Sequence, residues 1–383
     1  MKRKLRMGMI GGGQGAFIGA IHRSAALMDG QIELIAGALS HDPQIAVESG
    51  HDLYLEEERI YRDYETMLNR EAALPVDRRI DFVSIVTPNY VHFDPAMMAL
   101  DKGFHVVIEK PMTFSLDEAY QLKQKLDATG LSLMLTHTYS GYPMVKQAKQ
   151  MVKSGSLGKI RKVYVEYPQG WLSRLSELEG NAQAAWRTDP SRSGKSGCMG
   201  DIGTHAAHLA EYITGAKITH LCADLNIMVQ GRLLDDDGNV LLRFDNGATG
   251  VLMASQVAAG EENPLKIRIY GEDGGLEWAQ QEPNTLIYKL LDQPIQLLRA
   301  GGGYLSSYAK HNFRTPGGHP EGYIEAFANL YRNFALTLQS KLEGQTPSAE
   351  SLDFPGVEDG IRGMNFIDKV VASAQSDMKW TTF

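Results

Sequence analysis

Up to about Leu135 the chain alternates short apolar runs with longer amphipathic stretches. The runs Leu5-Ile10, Ile32-Ala38, Phe82-Val86, His105-Ile108 and Ser132-Leu135 have the length and composition of buried strands. Between them, apolar residues recur at helical spacing over Ala16-Met28, Thr66-Ala73, Asp94-Lys102 and Ser115-Thr129. Ser115 opens the last of these, with Glu118 three residues on, the pattern of a capping box. Strands that alternate with helices in this way predict successive βαβ units and a doubly wound parallel sheet. The first domain is therefore expected over residues 1–138.

From roughly Lys159 the periodicity changes to longer strands in which apolar and polar residues alternate. Turn signals at Asp237-Gly238, Asp245-Asn246-Gly247 and Asp273-Gly274-Gly275 predict hairpins of a large, mostly antiparallel sheet. Helical spacing interrupts it at Ile202-Ile213, and further helices near Tyr323-Leu338 and Val357-Ala374 close the chain. An α+β domain over 139–383 follows, its closing helices free to pack back on the first domain. Gln293-Gly317, rich in glycine and polar residues, reads as a long loop, either a lid or a disordered segment.

Composition narrows the function. With 383 residues, 43% of them apolar, the chain can bury two cores. A formal charge of −8 with scattered basic residues offers no face for nucleic acid. Cys198 and Cys222 have neither the spacing of a zinc site nor the number of a disulfide framework, and no metal is expected. The apolar run after the basic Met1-Leu5 is broken by glycines and by His22-Arg23, which fits a phosphate-binding turn better than a secretory signal. No apolar stretch approaches a membrane span, so a cytoplasmic protein is expected.

The chemistry begins where strand Leu5-Ile10 runs into Gly11-Gly12-Gly13-Gln14-Gly15-Ala16 and then a helix. This satisfies G-x-G-x-x-A at Gly11, Gly13 and Ala16, with Gln14 and Gly15 inside the turn. Gly11 allows the turn, Gly13 lets the backbone approach a pyrophosphate, and Ala16 keeps helix and strand close. At the end of the second strand Ser40 stands where an NAD-selective enzyme usually has a carboxylate, and no arginine follows for a 2′-phosphate. Asp42 could serve the ribose or cap the helix after Pro43. NAD or NADP is expected, with NAD favoured. Thr87-Pro88-Asn89, and His92 beyond it, lie after the third strand, on the sheet edge where ligands of open α/β sheets bind.

Glu109-Lys110-Pro111 follows the fourth strand, so Lys110 is placed over the same crevice, where its ammonium can polarise a hydroxyl or carbonyl. Gly200-Asp201-Ile202-Gly203-Thr204-His205 sets a carboxylate and an imidazole four residues apart on one helical face, with His208 as competitor for the role of proton acceptor.

These three motifs in series resemble the glucose-fructose oxidoreductase, inositol dehydrogenase and rhizopine-catabolism family (Gfo/Idh/MocA). The resemblance implies a Rossmann domain followed by an α+β domain whose open sheet commonly forms dimers or tetramers. It implies Lys110, Asp201 and His205 as the catalytic set, with His205 as acid/base, and a sugar, polyol or glycoside as substrate. Trp186-Arg187 looks like the family's tryptophan-arginine element near the sugar. Tyr139 and Pro143 follow the last Rossmann strand, and His319 stands at a helix mouth. Ser40 and Thr136-His137-Thr138-Tyr139 depart from the common pattern. Two rival functions are glycoside cleavage by transient oxidation on tightly bound NAD, and nucleotide sensing without chemistry.

Overall fold

A computed structural model describes residues 3–383. In chain order its regular elements begin with β1 (Leu5–Ile10), α1 (Phe17–Leu27), β2 (Ile32–Ala38), α2 (Pro43–Asp52), α3 (Tyr64–Ala73), β3 (Phe82–Ile85), α4 (Phe93–Asp101), β4 (His105–Ile108), α5 (Leu116–Thr129) and β5 (Leu133–Leu135). They continue with α6 (Pro143–Lys153), β6 (Lys162–Pro168), α7 (Ala182–Arg187), α8 (Pro190–Ser193), a π-turn at Met199–Gly203, α9 (Thr204–Thr214), β7 (Ile218–Asn226), β8 (Asp237–Phe244) and β9 (Thr249–Ser255). The chain closes with β10 (Lys266–Tyr270), β11 (Gly274–Ala279), β12 (Thr285–Leu290), β13 (Gln296–Arg299), α10 (Ser307–His311), α11 (Tyr323–Leu342), α12 (Val357–Ala374) and β14 (Thr381–Thr382).

The elements form two compact units. The first takes the chain up to Thr138 together with Ile324–Ile361, and the second takes Tyr139–Tyr323 and Arg362–Phe383. In the first, five parallel strands lie in the order β2-β1-β3-β4-β5. Their residues are buried almost throughout, as strands covered on both faces must be. α11 supplies part of that cover. Phe327, Tyr331, Phe334 and Leu338 belong to one buried cluster with Met7, Phe82, Val107 and Met134. The Phe334 and Phe82 rings meet edge to face at 5.5 Å. Ser115 and Glu118 form the expected capping box at the start of α5.

The second unit is built on nine strands in the order β13-β12-β11-β10-β6-β9-β8-β7-β14, antiparallel except for the β6–β9 pair. Its strands alternate buried and open residues, so one face carries the core and the other does not. α6 and α9 lie against the sheet. Three sequence expectations change here. Asp237-Gly238 begins β8 rather than making a hairpin turn, because Asp236 folds the preceding loop by accepting from the Met228 and Val229 amides and pairing with Arg232. Gln293-Gly317 is not one loop: it holds β13 and α10, and Leu305, Ala309 and Asn312 are buried. The helix expected from Ile202 starts at Thr204, after the π-turn. No described helix is long and apolar enough to cross a membrane.

Candidate active site

In the first unit the turn from β1 to α1 is a backbone cradle. Gly11 has φ +79°, and the Gly11 and Gly13 amides bond to the Ala38 and Leu39 carbonyls, both at 2.9 Å. A Cβ on Gly13 would lie 2.6 Å from Ser49 Oγ and 2.8 Å from Leu39 O, so only glycine lets the turn lie this close to the end of β2. Ala16, at the N-cap of α1, brings no side-chain cap, and the opening amides of the helix are left to an anion. Gln14 lies at the surface, its amide on Ser49 Oγ and its side chain on Asp52. Asp42 accepts from the Gln44 and Ile45 amides, which makes it the cap of α2, and Ser40 Oγ accepts from the Asp42 amide at 3.1 Å.

The edges of β3 and β4 continue this crevice. Thr87 Oγ1 is buried with no hydrogen-bonding partner among the described residues, a polar atom suited to a bound ligand. The ring nitrogens of His92 lie 2.8 Å from Thr87 O and 2.9 Å from Pro111 O, so this histidine ties two crevice loops together. Burial depresses its pKa. The Lys110-Pro111 peptide is cis. Glu109 is buried beneath Lys110 and bonds to His22 Nε2 at 3.0 Å and to the Thr136 hydroxyl. Burial pushes the Glu109 carboxyl up, but the His22 and Thr136 hydrogen bonds and the Lys110 charge outweigh it and hold the pKa at about 2. The glycine turn, the uncapped helix start and the orphaned Thr87 hydroxyl fit a dinucleotide.

In the second unit the π-turn carries Asp201 and leads into α9 with His205. Asp235 holds the turn by accepting from the Gly197 and Met199 amides at 2.9 Å each. A Cβ on Gly203 would meet Met199 Sδ at 2.6 Å, so any larger residue there would have to push the Met199 side chain aside. Asp201 Oδ2 accepts from Arg187 Nε at 3.1 Å and Gln256 Nε2 at 2.9 Å. The Arg187 guanidinium lies 4.2 Å from the centre of the Trp186 ring and 5.8 Å from that of Trp171. His205 packs against the edge of Tyr139 at 4.9 Å between ring centres. The Tyr139 and Tyr167 hydroxyls bond to each other and to Asn263, and burial raises both phenol pKa values.

The structure thus gathers Tyr139, Trp186, Arg187, Asp201 and His205 into one cluster. His208 turns elsewhere and stacks on Tyr212 at 5.7 Å. His319 is exposed, and its ring bonds to Pro316 O in its own turn. Pro143 is buried at the first position of α6. Sequence reasoning did not single out Tyr167, Trp171, Gln256 and Asn263, which lie on or beside strands without a motif, or His22 as the partner of Glu109. Among the described residues no group of three or more His, Cys, Asp or Glu side chains could hold a metal.

Comparison with known proteins agrees with this geometry. The description "Oxidoreductase family, NAD-binding Rossmann fold" matches residues 5–137, and "GFO/IDH/MocA C-terminal domain" matches residues 145–277. The uncharacterized oxidoreductase YfiI of Bacillus subtilis (strain 168) is 33% identical over 386 residues, spanning 100% of this chain and 98% of that one. An inositol dehydrogenase homolog from Azotobacter vinelandii, solved with NAD+, superposes with a TM-score of 0.94 at 36% identity, covering 100% of this chain and 98% of that one. The same homolog with NADH and myo-inositol gives a TM-score of 0.91 at 35% identity and the same coverage. A Rossmann cradle for NAD, a nine-stranded second unit and likeness along the whole chain lead to one conclusion: this chain belongs to the GFO/IDH/MocA family of oxidoreductases.

Proposed function

We propose that the chain is a dehydrogenase that oxidises a CH–OH group of a sugar, polyol or inositol-like substrate and reduces the corresponding carbonyl in reverse. The cluster around Asp201 and His205 carries the reading. A carboxylate fixed by Arg187 and Gln256, an imidazole against two tyrosines, and the Trp171 and Trp186 indoles beside an arginine form a surface suited to a polyhydroxylated ring. The myo-inositol bound by the Azotobacter homolog supports the same substrate class.

The bound cofactor supplies hydride transfer. The protein supplies the proton and the field. His205 takes the hydroxyl proton as the alcohol is oxidised, and Tyr139 and Tyr167 fix the orientation of its ring. Asp201 holds a neighbouring hydroxyl, and Lys110 donates to the reacting oxygen as charge develops on it. Absorbance at 340 nm with NAD and with NADP, across a panel of inositols, sugars and glycosides, tests this reading. Cofactor reduction that disappears in Lys110→Ala and His205→Ala is the expected result. A full panel without reduction, from protein that binds NAD, would overturn it.

We also propose that the face of the nine-stranded sheet away from α6 and α9, where Leu241 is 45% exposed, joins copies of the chain. Analytical ultracentrifugation of the native protein and of Leu241→Lys tests this, a monomer in the native protein counting against it.

A further inference from the structure

The sheet order sets where each part of a bound dinucleotide lies. The pyrophosphate belongs at the β1–α1 turn and the adenosine beyond β2, which leaves the nicotinamide half for the edges of β3 and β4. Lys110 follows β4 and brings a fixed cation to that edge. The oxidised nicotinamide ring is itself a cation and the reduced ring is neutral. A crevice containing only Lys110 would therefore disfavour the oxidised cofactor.

Directly behind Lys110 lies a buried polar chain, all of it within the first unit. Glu109 Oε1 is 3.0 Å from His22 Nε2, and His22 Nδ1 is 2.6 Å from the Tyr331 hydroxyl. The Tyr331 hydroxyl is in turn 2.7 Å from Ser84 Oγ. A neutral imidazole satisfies the whole chain: Ser84 donates to Tyr331, Tyr331 to Nδ1, and Nε2–H to the carboxylate. His22, Ser84 and Tyr331 are 0%, 0% and 1% exposed, so water does not compete for these bonds. The cluster then carries one net negative charge, concentrated on Glu109. Nothing in a phosphate-binding motif demands such a chain, and a core position filled by His22 is costly unless every polar atom is matched.

We propose that Glu109, positioned by His22 and Tyr331, is the counter-charge that lets this crevice take the oxidised nicotinamide beside the Lys110 ammonium, and so sets the preference for oxidised over reduced cofactor. His22 and Tyr331 act through Glu109 as positioning residues.

The test is cofactor affinity without any carbohydrate, which makes its outcome independent of the substrate proposed above. Dissociation constants for NAD+ and NADH are measured by titration calorimetry on the full chain, the Glu109→Gln variant and the Glu109→Asp variant. Glu109→Gln keeps the shape and removes the charge. Its NAD+ constant should rise about tenfold, as expected for one partly buried charge acting at close range, while the NADH constant changes by less than about twofold. Glu109→Asp should restore most of the NAD+ affinity. If Glu109→Gln does not fold, Tyr331→Phe serves instead, with a smaller shift of about two- to threefold in the same ratio. Equal weakening of both redox forms would mean that the network only holds the loop in shape and would overturn the proposal, as would an unchanged ratio in a folded variant.

Discussion

The two units hold their functional groups by different means. The cradle of the first is made of main chain: amides at the turn after β1, a bare helix start, and glycines whose Cβ atoms would strike Ser49 and Thr87. The cluster of the second is made of side chains. Asp201 and His205 depend on Arg187, Gln256, Tyr139, Tyr167 and Asn263, which come from well-separated parts of the chain. Backbone sites tolerate only glycine at fixed places and announce themselves in a short stretch of sequence. Side-chain sites are assembled by the fold and leave only their nucleus as a local pattern.

The sharpest separation of the two comes from His205→Ala. If His205 is the acid/base proposed above, its loss should lower kcat by about 10²- to 10⁴-fold, whereas the NAD+ dissociation constant from calorimetry should not move, because nothing in the cradle has changed. A parallel loss of NAD+ binding would break the division of labour. Phe334→Ala makes the opposite case. Removing this ring from against Phe82 should cost about 3–5 kcal/mol of stability, read from denaturant midpoints, and cofactor binding should fall along with it although no cradle residue is altered. Gly13→Ala is smaller and more local. The forced shift away from Ser49 and Leu39 O should weaken NAD+ by about tenfold or about 1.4 kcal/mol, with little change in melting temperature. An unchanged affinity would show that the turn can yield.

Acid titration gives the smallest effects. Burial, followed by the nearby Lys341 charge, lowers the His105 pKa from 6.5 to about 4. The unfolded chain therefore binds a proton that the folded one refuses, and stability declines as pH falls from 6.5 to about 4. Glu109 works in the window below. Its ionised form is favoured in the fold, so its contribution is present above about 4.5 and lost as pH falls towards 2. Melting temperatures of the native protein and His105→Gln between pH 7 and 4 check the upper window, where the variant should show the shallower slope. Identical slopes would assign the loss to other groups.

Much of the fold was legible because its periodicities are strong. The strands Leu5–Ile10, Ile32–Ala38 and His105–Ile108 coincide with their apolar runs, and the capping box at Ser115 marks its helix. Where the reading failed, a distant partner had decided the local structure. Asp237-Gly238 has turn chemistry but is paired into a strand with Ser255 and Ala254. The segment after Gln293 lacks apolar periodicity yet gains a strand by pairing with β12. Within the sites, glycines and the Asp201/His205 spacing were visible. The roles of Gln256, Asn263 and Tyr167 were not, since single polar residues on strands carry no signal until the strands are arranged. His22 was equally silent, because its partners Glu109 and Tyr331 lie far away along the chain.

The return of Ile324–Ile361 to the first unit bears on how the chain matures. Synthesis runs from the amino terminus, so β1 to β5 emerge long before the segment that carries Phe327, Tyr331 and Phe334. Until then Met7, Phe82, Val107 and Met134 lack a large part of their apolar cover, and Glu109 lacks the end of its hydrogen-bonded chain. The nucleotide-binding unit therefore closes its core, and the buried polar chain behind Glu109, only once Ile324–Ile361 has been made.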